Sequence, residues 1–399
     1  MKILFITGVL PHARVLGGAI IVHNRIKLLA ERGYEIGLAS FVSPAEEPYV
    51  AELRPMLSEL ETLPAPPAMT AWRAVRSLLC SPVPPPISAY AHPDMHRLVG
   101  NMIQRSRYDV AIAEFSGMGQ YLHWNVHLPA VRRIISVHSC VTCALQKAAA
   151  LQPWSLAGLR KRILLPRLQR FEFLMYRSAD LILTLTGEER VDMLSYAPDL
   201  HIAVIPYGVD VERYCPRPDQ PTEEAIVFTG VYRDEPNRDA VRWFVQQAWP
   251  TLHARHPDLK FYIVGSGVTR DVQDLARRYP NVIVTGEVPD VSPYLARCRA
   301  YVCPMRIGTG FRGKILQAMA AGLPVVSTTQ SAEGIPAATG NNILLADTPR
   351  LFANSISLLL QDEELRQRIA HNARELVVRR FAWSHCVDVL EQAIKTTLR

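Results

Sequence analysis

The chain has 399 residues, of which 49% are hydrophobic and 20% are charged. This length suits two domains of about 200 residues each, and the composition is that of a folded globular protein, which excludes extensive disorder. The formal net charge of +7 favours anionic partners, such as phosphates, an anionic membrane or nucleic acid, without choosing among them.

The chain begins with MKILFITGVL, which contains one lysine and a short apolar run that Pro11 follows directly. The run is too short for a secretory signal and has no cleavage pattern, so it indicates a buried first strand. No stretch of about 18 apolar residues predicts a transmembrane helix. We therefore expect a cytoplasmic protein.

Short apolar runs rich in β-branched residues recur along the chain and alternate with helical stretches. This pattern is typical of parallel sheets that are covered by helices on both faces. Two such series predict an α/β protein with two Rossmann-like domains, and a polar, proline-rich stretch at 206–222 marks their boundary. The predicted strands are 2–7, 35–40, 109–114, 133–137, 181–185 and 202–206 in the first series, and 225–230, 260–265, 281–286, 300–304 and 323–328 in the second.

Residues 63–88 are rich in proline around a short stretch with a helical pattern. One interpretation is a surface excursion with polyproline character. The other is a flap on the acceptor or membrane side, because Trp72, Leu78 and Leu79 give the segment an apolar face.

Residues 160–177 hold six cations and one acid among apolar residues. The pattern predicts a basic amphipathic helix that is broken at Pro166. It is either a surface helix that packs its apolar stripe on the sheet or a helix that lies on an anionic bilayer. Nucleic acid is not an expected partner, because no basic module with interleaved aromatic residues is present.

Three groups of residues follow strands of the first series, where ligands of open parallel sheets bind. Gly17 and Gly18 precede a predicted helix, where they either let an anion approach backbone amides or only form a turn. His138 either donates to a hydroxyl or developing negative charge or is structural. Glu114 binds an acceptor hydroxyl, acts as a base, or is a solvated loop acid.

Seven cysteines are scattered along the chain, so no disulfide framework is indicated. The segment HSCVTC places Cys140 and Cys143 in a C-x-x-C arrangement near His138. A metal or redox site would require a further ligand pair that the sequence lacks, so we interpret them as reduced cysteines.

The stretch GTGFRGKILQAMAAGLPVV, residues 308–326, combines glycines with two cations. Thr309 is the predicted cap of a helix that begins near Gly310. Arg312 and Lys314 in the first turn oppose the helix dipole, which is unfavourable by a few tenths of a kcal/mol each. The alternative is a pair of exposed cations, but the glycines beside them favour an anion-binding site.

These motifs resemble those of retaining glycosyltransferases of family 4, which have the GT-B fold. The resemblance rests on VIPYGVD (204–210), the segments 228–252 and 284–328, and AEGI (332–335). It covers the chain from about residue 204 to residue 385. The first half of the chain resembles the family less closely. The resemblance there rests on a strand, the residues GGA and a helix at its start.

The resemblance implies two Rossmann-like domains whose parallel sheets face each other across a cleft. The implied domains are an acceptor-binding domain at 1–205 and a nucleotide-sugar donor-binding domain at 206–382. A final helix at 383–399 is expected to cross back to the first domain.

The resemblance also implies roles for site residues. Thr309 and Gln317 occupy the positions of two family carboxylates, and Gln317 would hold the nucleotide ribose with uncharged hydrogen bonds, weakening donor binding by roughly 1–2 kcal/mol. Arg312 and Lys314 would clamp the diphosphate, and His138 would lie near the donor sugar. The other implied donor-site residues are Gly17, Gly18, Gly230, Gly286, Val288, Gly310 and Phe311.

The implied reaction transfers a sugar, with retention, from a nucleotide-diphosphate sugar to a glycan or lipid-linked acceptor. No cofactor or metal is expected, because cations can stabilise the departing diphosphate. The implied setting is polysaccharide or glycolipid synthesis, with peripheral attachment to the inner membrane face through 160–177. Because Thr309 and Gln317 replace the carboxylates, the alternative is a non-catalytic GT-B-like protein that binds sugar nucleotides.

Overall fold

The computed structural model describes residues 1–13, 17–70, 72–73, 76–77, 81–151, 156–217, 222–308 and 310–398. The chain forms two compact units. The first contains Met1–Pro206 and Val387–Arg399, and the second contains Tyr207–Cys386. Each unit is built around a parallel sheet with its own hydrophobic core.

The first unit contains a seven-stranded sheet. Its strands are Lys2–Thr7 (β1), Glu35–Val42 (β2), Glu59–Pro64 (β3), Val110–Glu114 (β4), Arg132–Val137 (β5), Leu181–Thr184 (β6) and Ile202–Val204 (β7). The strand order is β3-β2-β1-β4-β5-β6-β7, and all neighbouring pairs are parallel. The order reverses between β1 and β4, so the ends of these two strands are where a ligand of such a sheet is expected.

Helices of the first unit cover both faces of the sheet. They are Ala19–Glu31 (α1), Val50–Leu53 (α2), Pro93–Ser106 (α3), Val141–Leu151 (α4), Leu156–Arg177 (α5) and Gly187–Tyr196 (α6). Short 3₁₀ turns occur at Glu47–Tyr49, Arg54–Met56, Ile87–Tyr90 and Ser116–Tyr121.

The helix α5 runs through Pro166 without a break, so the predicted break there is wrong. Pro166 lacks the N–H that would bond to the carbonyl of residue 162. The buried side chains of Leu168 and Phe171 pack with strand residues of β5 and β6, which stabilises the continuous helix. The interpretation of this segment as a helix that packs its apolar stripe on the sheet is confirmed.

The segment 63–88 is described only in part. Trp72 is 73% exposed, whereas Leu78 and Leu79 lie outside the described residues. Its end enters the 3₁₀ turn Ile87–Tyr90, where Ile87 is buried. The two interpretations of this segment remain open.

The second unit contains a six-stranded sheet. Its strands are Ala225–Thr229 (β8), Lys260–Val264 (β9), Val282–Gly286 (β10), Ala300–Cys303 (β11), Val325–Ser327 (β12) and Leu344–Leu345 (β13). The order is β10-β9-β8-β11-β12-β13, again with parallel neighbours. Here the order reverses between β8 and β11.

The helices of the second unit alternate with these strands. They are Glu235–Trp243 (α7), Trp249–Arg255 (α8), Arg270–Arg278 (α9), Ser292–Arg297 (α10), Gly313–Ala320 (α11), Pro349–Gln361 (α12), Glu363–Phe381 (α13) and Trp383–Leu398 (α14). A 3₁₀ turn spans Gln330–Ala332. The link Phe244–Ala248 between α7 and α8 is π-helical, because Pro250 cannot supply the α-helical N–H bond to residue 246.

The last helix, α14, begins in the second unit, but its later residues belong to the first. Val387, Leu390 and Ile394 are part of the first unit's core. Glu391 accepts a 2.7 Å hydrogen bond from Nη1 of Arg32 and another of 2.7 Å from the hydroxyl of Tyr34. These contacts fix the end of the chain on the first unit.

All predicted strands are present, with ends that differ by a few residues. Two strands were not predicted, β3 and β13. Each lies at the edge of its sheet, where burial is incomplete. The sequence ELETLP of β3 therefore lacks the continuous apolar run that marks a buried parallel strand.

Candidate functional site

The glycine pair after β1 packs against the loop after β5. Gly17 has a φ of +72°, a conformation that favours glycine. A Cβ atom on Gly18 would lie 2.8 Å from Nδ1 of His138 and 2.7 Å from the ring of Phe115. Glycine is therefore required at position 18 for the His138 ring to reach its place.

A buried ion pair lies beneath this loop. Nη1 of Arg25, on α1, donates to both carboxylate oxygens of Glu114, at 2.9 and 3.1 Å. The same nitrogen lies 2.8 Å from Oγ of Ser136. The side chains of Arg25 and Glu114 are 3% and 0% exposed. The interpretation of Glu114 as a solvated loop acid is thus wrong.

His138 joins this ion pair. Its Nε2 lies 2.7 Å from Oε2 of Glu114, and Phe115 stacks on its ring with centroids 4.1 Å apart. Phe115 has a φ of +73°, a strained conformation for a residue with a side chain. The strained turn at the end of β4 therefore places one aromatic ring against the other.

The charges of this cluster follow from its burial and its contacts. Burial raises the pKa of Glu114, but Arg25 and His138 outweigh it and lower the pKa to about 2. Burial lowers the pKa of His138, and Arg25 acts in the same direction against the opposing effect of Glu114. At neutral pH the cluster thus contains an ionised Glu114, a cationic Arg25 and a neutral imidazole.

Arg25 was missed by sequence reasoning, although a signal existed. It lies four residues after Ile21 and four before Leu29, on the buried face of α1. A charged residue on such a face needs a buried partner of opposite charge. Glu114, at the end of an apolar strand, was the matching acid.

The loop that carries His138 is also fixed by Glu172 of α5. This fully buried carboxylate accepts hydrogen bonds from the backbone amides of Val141 and Thr142, at 3.0 and 2.8 Å. Such bonds satisfy free amides at the start of α4. Cys140 and Cys143 beside it are buried free thiols, and contact with Cys143 together with burial raises the pKa of Cys140. Reduced cysteines fit this environment.

In the second unit, Lys314 lies beside the end of β8. Its Nζ donates to the carbonyl of Thr229 and to Oδ1 of Asn237, both at 2.7 Å. It also lies 4.4 Å from the ring centroid of Phe228. Burial lowers the pKa of Lys314 to about 8. Both hydrogen-bond acceptors are uncharged, so the charge of this lysine remains available to an anion.

Gly230 leaves room for this lysine. A Cβ atom there would lie 3.3 Å from Nζ of Lys314 and 3.0 Å from Cγ of Asn237. Asn237 is 8% exposed and donates from Nδ2 to the carbonyl of Val231 at 2.8 Å. Asn237 thus joins Lys314 to the loop after β8. Sequence reasoning missed it, because it lies 77 residues from Lys314.

The structure corrects the predicted start of the helix in GTGFRGKILQAMAAGLPVV. α11 begins at Gly313, with Arg312 as its N-cap and without a side-chain cap. The φ of +91° at Gly310 is incompatible with a helix. Thr309 lies outside the described residues, so its role stays a prediction.

Arg312 is mostly buried beside the glycine turn. Its Nη2 donates to the carbonyl of Ile307 at 3.3 Å, and burial lowers its pKa. Arg312 also contributes to lowering the pKa of Lys314. The two cations are therefore close enough to repel each other, an arrangement that a bound anion would relieve.

Four other predicted donor-site residues of the second unit lie on different elements. Phe311 stacks on Tyr207 with centroids 5.4 Å apart, so its ring takes part in aromatic packing. Gln317 is half-buried on α11. Gly286 ends β10 with a φ of +74°, and Val288 packs against the core.

No group of three or more His, Cys, Asp or Glu side chains suited to a metal ion occurs in the part of the chain that the structure describes.

Two protein-family models together match most of the chain. Residues 15–213 match the family model described as Glycosyltransferase Family 4. Residues 223–362 match the one described as glycosyl transferases group 1. The chain belongs to glycosyltransferase family 4.

Curated relatives of this family 4 chain match over part of their length. One is a phosphatidyl-myo-inositol mannosyltransferase from Mycolicibacterium smegmatis, 31% identical over 45% of this chain and 48% of the relative. Another is a D-inositol 3-phosphate glycosyltransferase from Corynebacterium glutamicum, 27% identical over 52% of this chain and 55% of the relative. The chain thus matches about half the length of these relatives.

Solved structures match over nearly the whole chain. Sucrose-phosphate synthase from Thermosynechococcus elongatus aligns with a TM-score of 0.75 at 18% identity, covering 99% of this chain and 98% of that one. Anabaena HepE in complex with UDP-glucose aligns with a TM-score of 0.68 at 16% identity, covering 99% and 100%. The predicted GT-B fold class is confirmed.

Proposed function

We propose that this family 4 protein transfers a sugar from a nucleotide-diphosphate sugar to a glycan or lipid-linked acceptor. The observation that carries the proposal is Lys314, a partly buried cation whose hydrogen-bond acceptors, Thr229 and Asn237, are both uncharged. A partly buried charge that no carboxylate contacts through a hydrogen bond is incompletely compensated without a ligand. The diphosphate of a nucleotide sugar supplies the missing negative charge.

Breaking the bond between sugar and diphosphate sends negative charge onto the departing phosphate. Lys314 and Arg312 stabilise that charge electrostatically, and the cations can act without a metal. Lys314 has three N–H donors, of which two bind Thr229 and Asn237. The third is available to a phosphate oxygen. Because the negative charge grows as the bond breaks, these contacts strengthen in the transition state.

The nucleotide is proposed to extend from the diphosphate toward Gln317 and the β10 turn. Gln317 would bind the ribose hydroxyls with its amide, and Gly286 and Val288 would contact the base through their backbone. Gly230 and Gly310 would let the diphosphate approach the main chain. Thr309 and Phe311 complete this donor set in the proposal.

In the first unit, Gly17, Gly18 and His138 are proposed to bind the sugar end of the donor. Glu114 was expected on the acceptor side. Its oxygens bind Arg25 and His138, so a role in acceptor binding would act through these partners. We propose retention of anomeric configuration, which the resemblance to retaining members of family 4 supports.

The named relatives support an acceptor in glycolipid or polysaccharide synthesis. The Mycolicibacterium relative is a phosphatidyl-myo-inositol mannosyltransferase, and a Staphylococcus aureus relative, 24% identical over 38% of this chain and 42% of its own length, is a capsular polysaccharide biosynthesis glycosyltransferase. Anabaena HepE binds UDP-glucose. A UDP-sugar and a lipid-linked or growing glycan are therefore the first substrates to test.

Contact with an anionic membrane through 160–177 is part of the proposal. α5 exposes Ile163 and Leu174, at 64% and 40%, near the exposed Arg162 and Arg170. Such a mixture of apolar and basic side chains suits the surface of an anionic bilayer. Within the described residues, no helix is both long and apolar enough to span a bilayer. Flotation with anionic and neutral liposomes at low salt tests this contact, which recovery in the soluble fraction alone would contradict.

The proposed transfer is tested with a panel of UDP-, GDP- and TDP-sugars, with lipid-linked and oligosaccharide acceptors, in the presence and absence of a chelator. We expect transfer from one donor class, unaffected by the chelator, with product stereochemistry read by NMR. Binding of donors without transfer or hydrolysis would favour the non-catalytic sugar-nucleotide-binding alternative. Neither binding nor turnover of any donor would refute both.

A further inference from the structure

We propose that Arg25 and Glu114 are positioning residues that fix the His138 ring with its proton on Nε2, so that Nδ1 accepts a hydrogen bond from a sugar hydroxyl. The inference deepens the proposed function and rests on it for the identity of the ligand. It assigns His138 the role of an acceptor, where sequence reasoning expected a donor.

The first step is the location of the proton on His138. Nε2 lies 2.7 Å from Oε2 of Glu114, and this carboxylate is ionised at neutral pH because its pKa is about 2. A lone pair on Nε2 would face a negative oxygen at hydrogen-bond distance, which is repulsive. Nε2 therefore carries the proton and donates it to Glu114.

The second step is the state of the other ring nitrogen. Burial lowers the pKa of His138, and the cationic Arg25 on α1 disfavours a second positive charge. Among the described residues, Arg25 also contacts Glu114 on β4 and Ser136 on β5, and Glu114 contacts His138. The ring is therefore neutral at pH 7, and Nδ1 presents a lone pair.

The third step is the missing partner of that lone pair. Nδ1 of His138 is buried without a hydrogen-bond partner, and its side chain is only 7% exposed. Buried polar atoms are nearly always hydrogen-bonded, and an exception in a native structure points to a ligand or an ordered water. Nδ1 lies against Gly18, in the loop proposed to bind the sugar. A sugar hydroxyl is the donor that this position suits.

The role of Arg25 is to keep Glu114 ionised. The buried carboxylate would otherwise take up a proton, because burial raises its pKa. A neutral Glu114 could donate to Nε2 and move the ring proton to Nδ1, which would turn His138 from an acceptor into a donor. Arg25 thus acts on the ligand through Glu114 and His138, without touching it.

The experiment combines NMR of the imidazole with kinetics on the full chain. Histidine is labelled with ¹⁵N, and the His138 signals are assigned through their loss in His138→Asn. We expect a slowly exchanging, downfield Nε2–H proton and an unprotonated Nδ1 at pH 7. A protonated Nδ1, in either the neutral or the cationic ring, would overturn the proposal.

The variants are Glu114→Gln and the double variant Arg25→Met with Glu114→Leu. Replacement of a whole buried ion pair by apolar side chains is often tolerated, so the double variant guards against misfolding in Glu114→Gln. We expect loss of the downfield Nε2–H proton and an about 10- to 100-fold fall in kcat/KM in the double variant. Its Kd for a nucleoside diphosphate should not change, because that ligand is bound by the second unit.

Lys2→Met is the matched control, because it breaks an exposed ion pair of the same unit, Lys2 with Glu35. Its NMR signals and kcat/KM should equal those of the wild type. Wild-type kcat/KM in the double variant would refute the positioning role. If the wild type transfers no sugar at all, the proposed function fails, while the NMR signals still decide the proton position on His138.

Discussion

Each unit holds a cation near the carboxyl ends of its strands, buried in the first unit and partly buried in the second, but the partners of the two cations differ. In the first unit, Arg25 is neutralised by the ionised Glu114, and His138 beside them is neutral. In the second unit, Lys314 is held by the uncharged oxygens of Thr229 and Asn237. The first cluster suits a neutral, hydroxyl-bearing group, and the second suits an anion.

The difference teaches that the partner of a buried cation decides what the site can bind. The carboxylate of Glu114 neutralises the charge of Arg25. The remaining effect of this ion pair is to fix the orientation of the His138 ring. Carbonyl and amide partners orient Lys314 without cancelling its charge.

The largest expected effect is on the folding of the first unit. Arg25→Met leaves Glu114 buried without its cation, and breaking a buried pair in this way is expected to lower the free energy of unfolding by about 3–5 kcal/mol. Chemical denaturation measures it, with the exposed pair variant Lys2→Met as the control. A loss no larger than that of the control would show that the buried charges are not coupled as described.

The next effect is on catalysis in the second unit. Lys314→Met should lower kcat by roughly two to three orders of magnitude, because one preorganised group that stabilises the developing charge is lost. Steady-state kinetics with the active donor measures it. Lys260→Met is the matched control, since Lys260 is a partly exposed lysine of the same unit that pairs with Glu223. Equal rates in wild type and Lys314→Met would remove Lys314 from the diphosphate site.

The third effect is a pH dependence of diphosphate binding that comes from Lys314 in the second unit. The pKa of Lys314 in the folded protein, about 8, lies below that of an ordinary lysine, so its charge is lost as the pH rises through about 8. Affinity for a nucleoside diphosphate should therefore fall above that pH, by up to about tenfold per pH unit. Calorimetry between pH 7 and 9.5 measures this fall, and the dependence should vanish in Lys314→Met. A flat profile in the wild type would contradict it.

The smallest effect concerns Gln317. Gln317→Glu restores a charged acceptor for the ribose hydroxyls and should tighten binding of the donor about tenfold. Binding isotherms for the donor measure it, with Gln247→Glu, an exposed position in the same unit, as the control. Weaker binding in Gln317→Glu would show that this residue does not face the ribose.

The sequence predicted the parts of the molecule that rest on local patterns. Buried parallel strands such as β1 and β8 are continuous apolar runs, and the glycines and cations of 308–314 are neighbours in the chain. The edge strand β3 was missed because its sequence alternates. The predicted break at Pro166 failed because tertiary packing of Leu168 and Phe171 outweighs the local effect of proline.

The partners of the site residues could not be predicted in the same way. Arg25 lies 89 residues from Glu114, and Asn237 lies 77 residues from Lys314, so only folding brings them together. The charge on Arg25, within an apolar helix face, was a sign that a buried acid existed. It did not indicate which acid, or that His138 would complete the cluster.

The central claim is that Lys314 receives the diphosphate of a nucleotide sugar. Calorimetric titration of UDP, GDP and ADP, each with its monophosphate, into the wild type and Lys314→Met at pH 7 tests it most directly. The account predicts that at least one nucleoside diphosphate binds, its monophosphate binds more weakly, and Lys314→Met loses the difference. Absence of binding by every diphosphate, or equal binding in Lys314→Met, would contradict it.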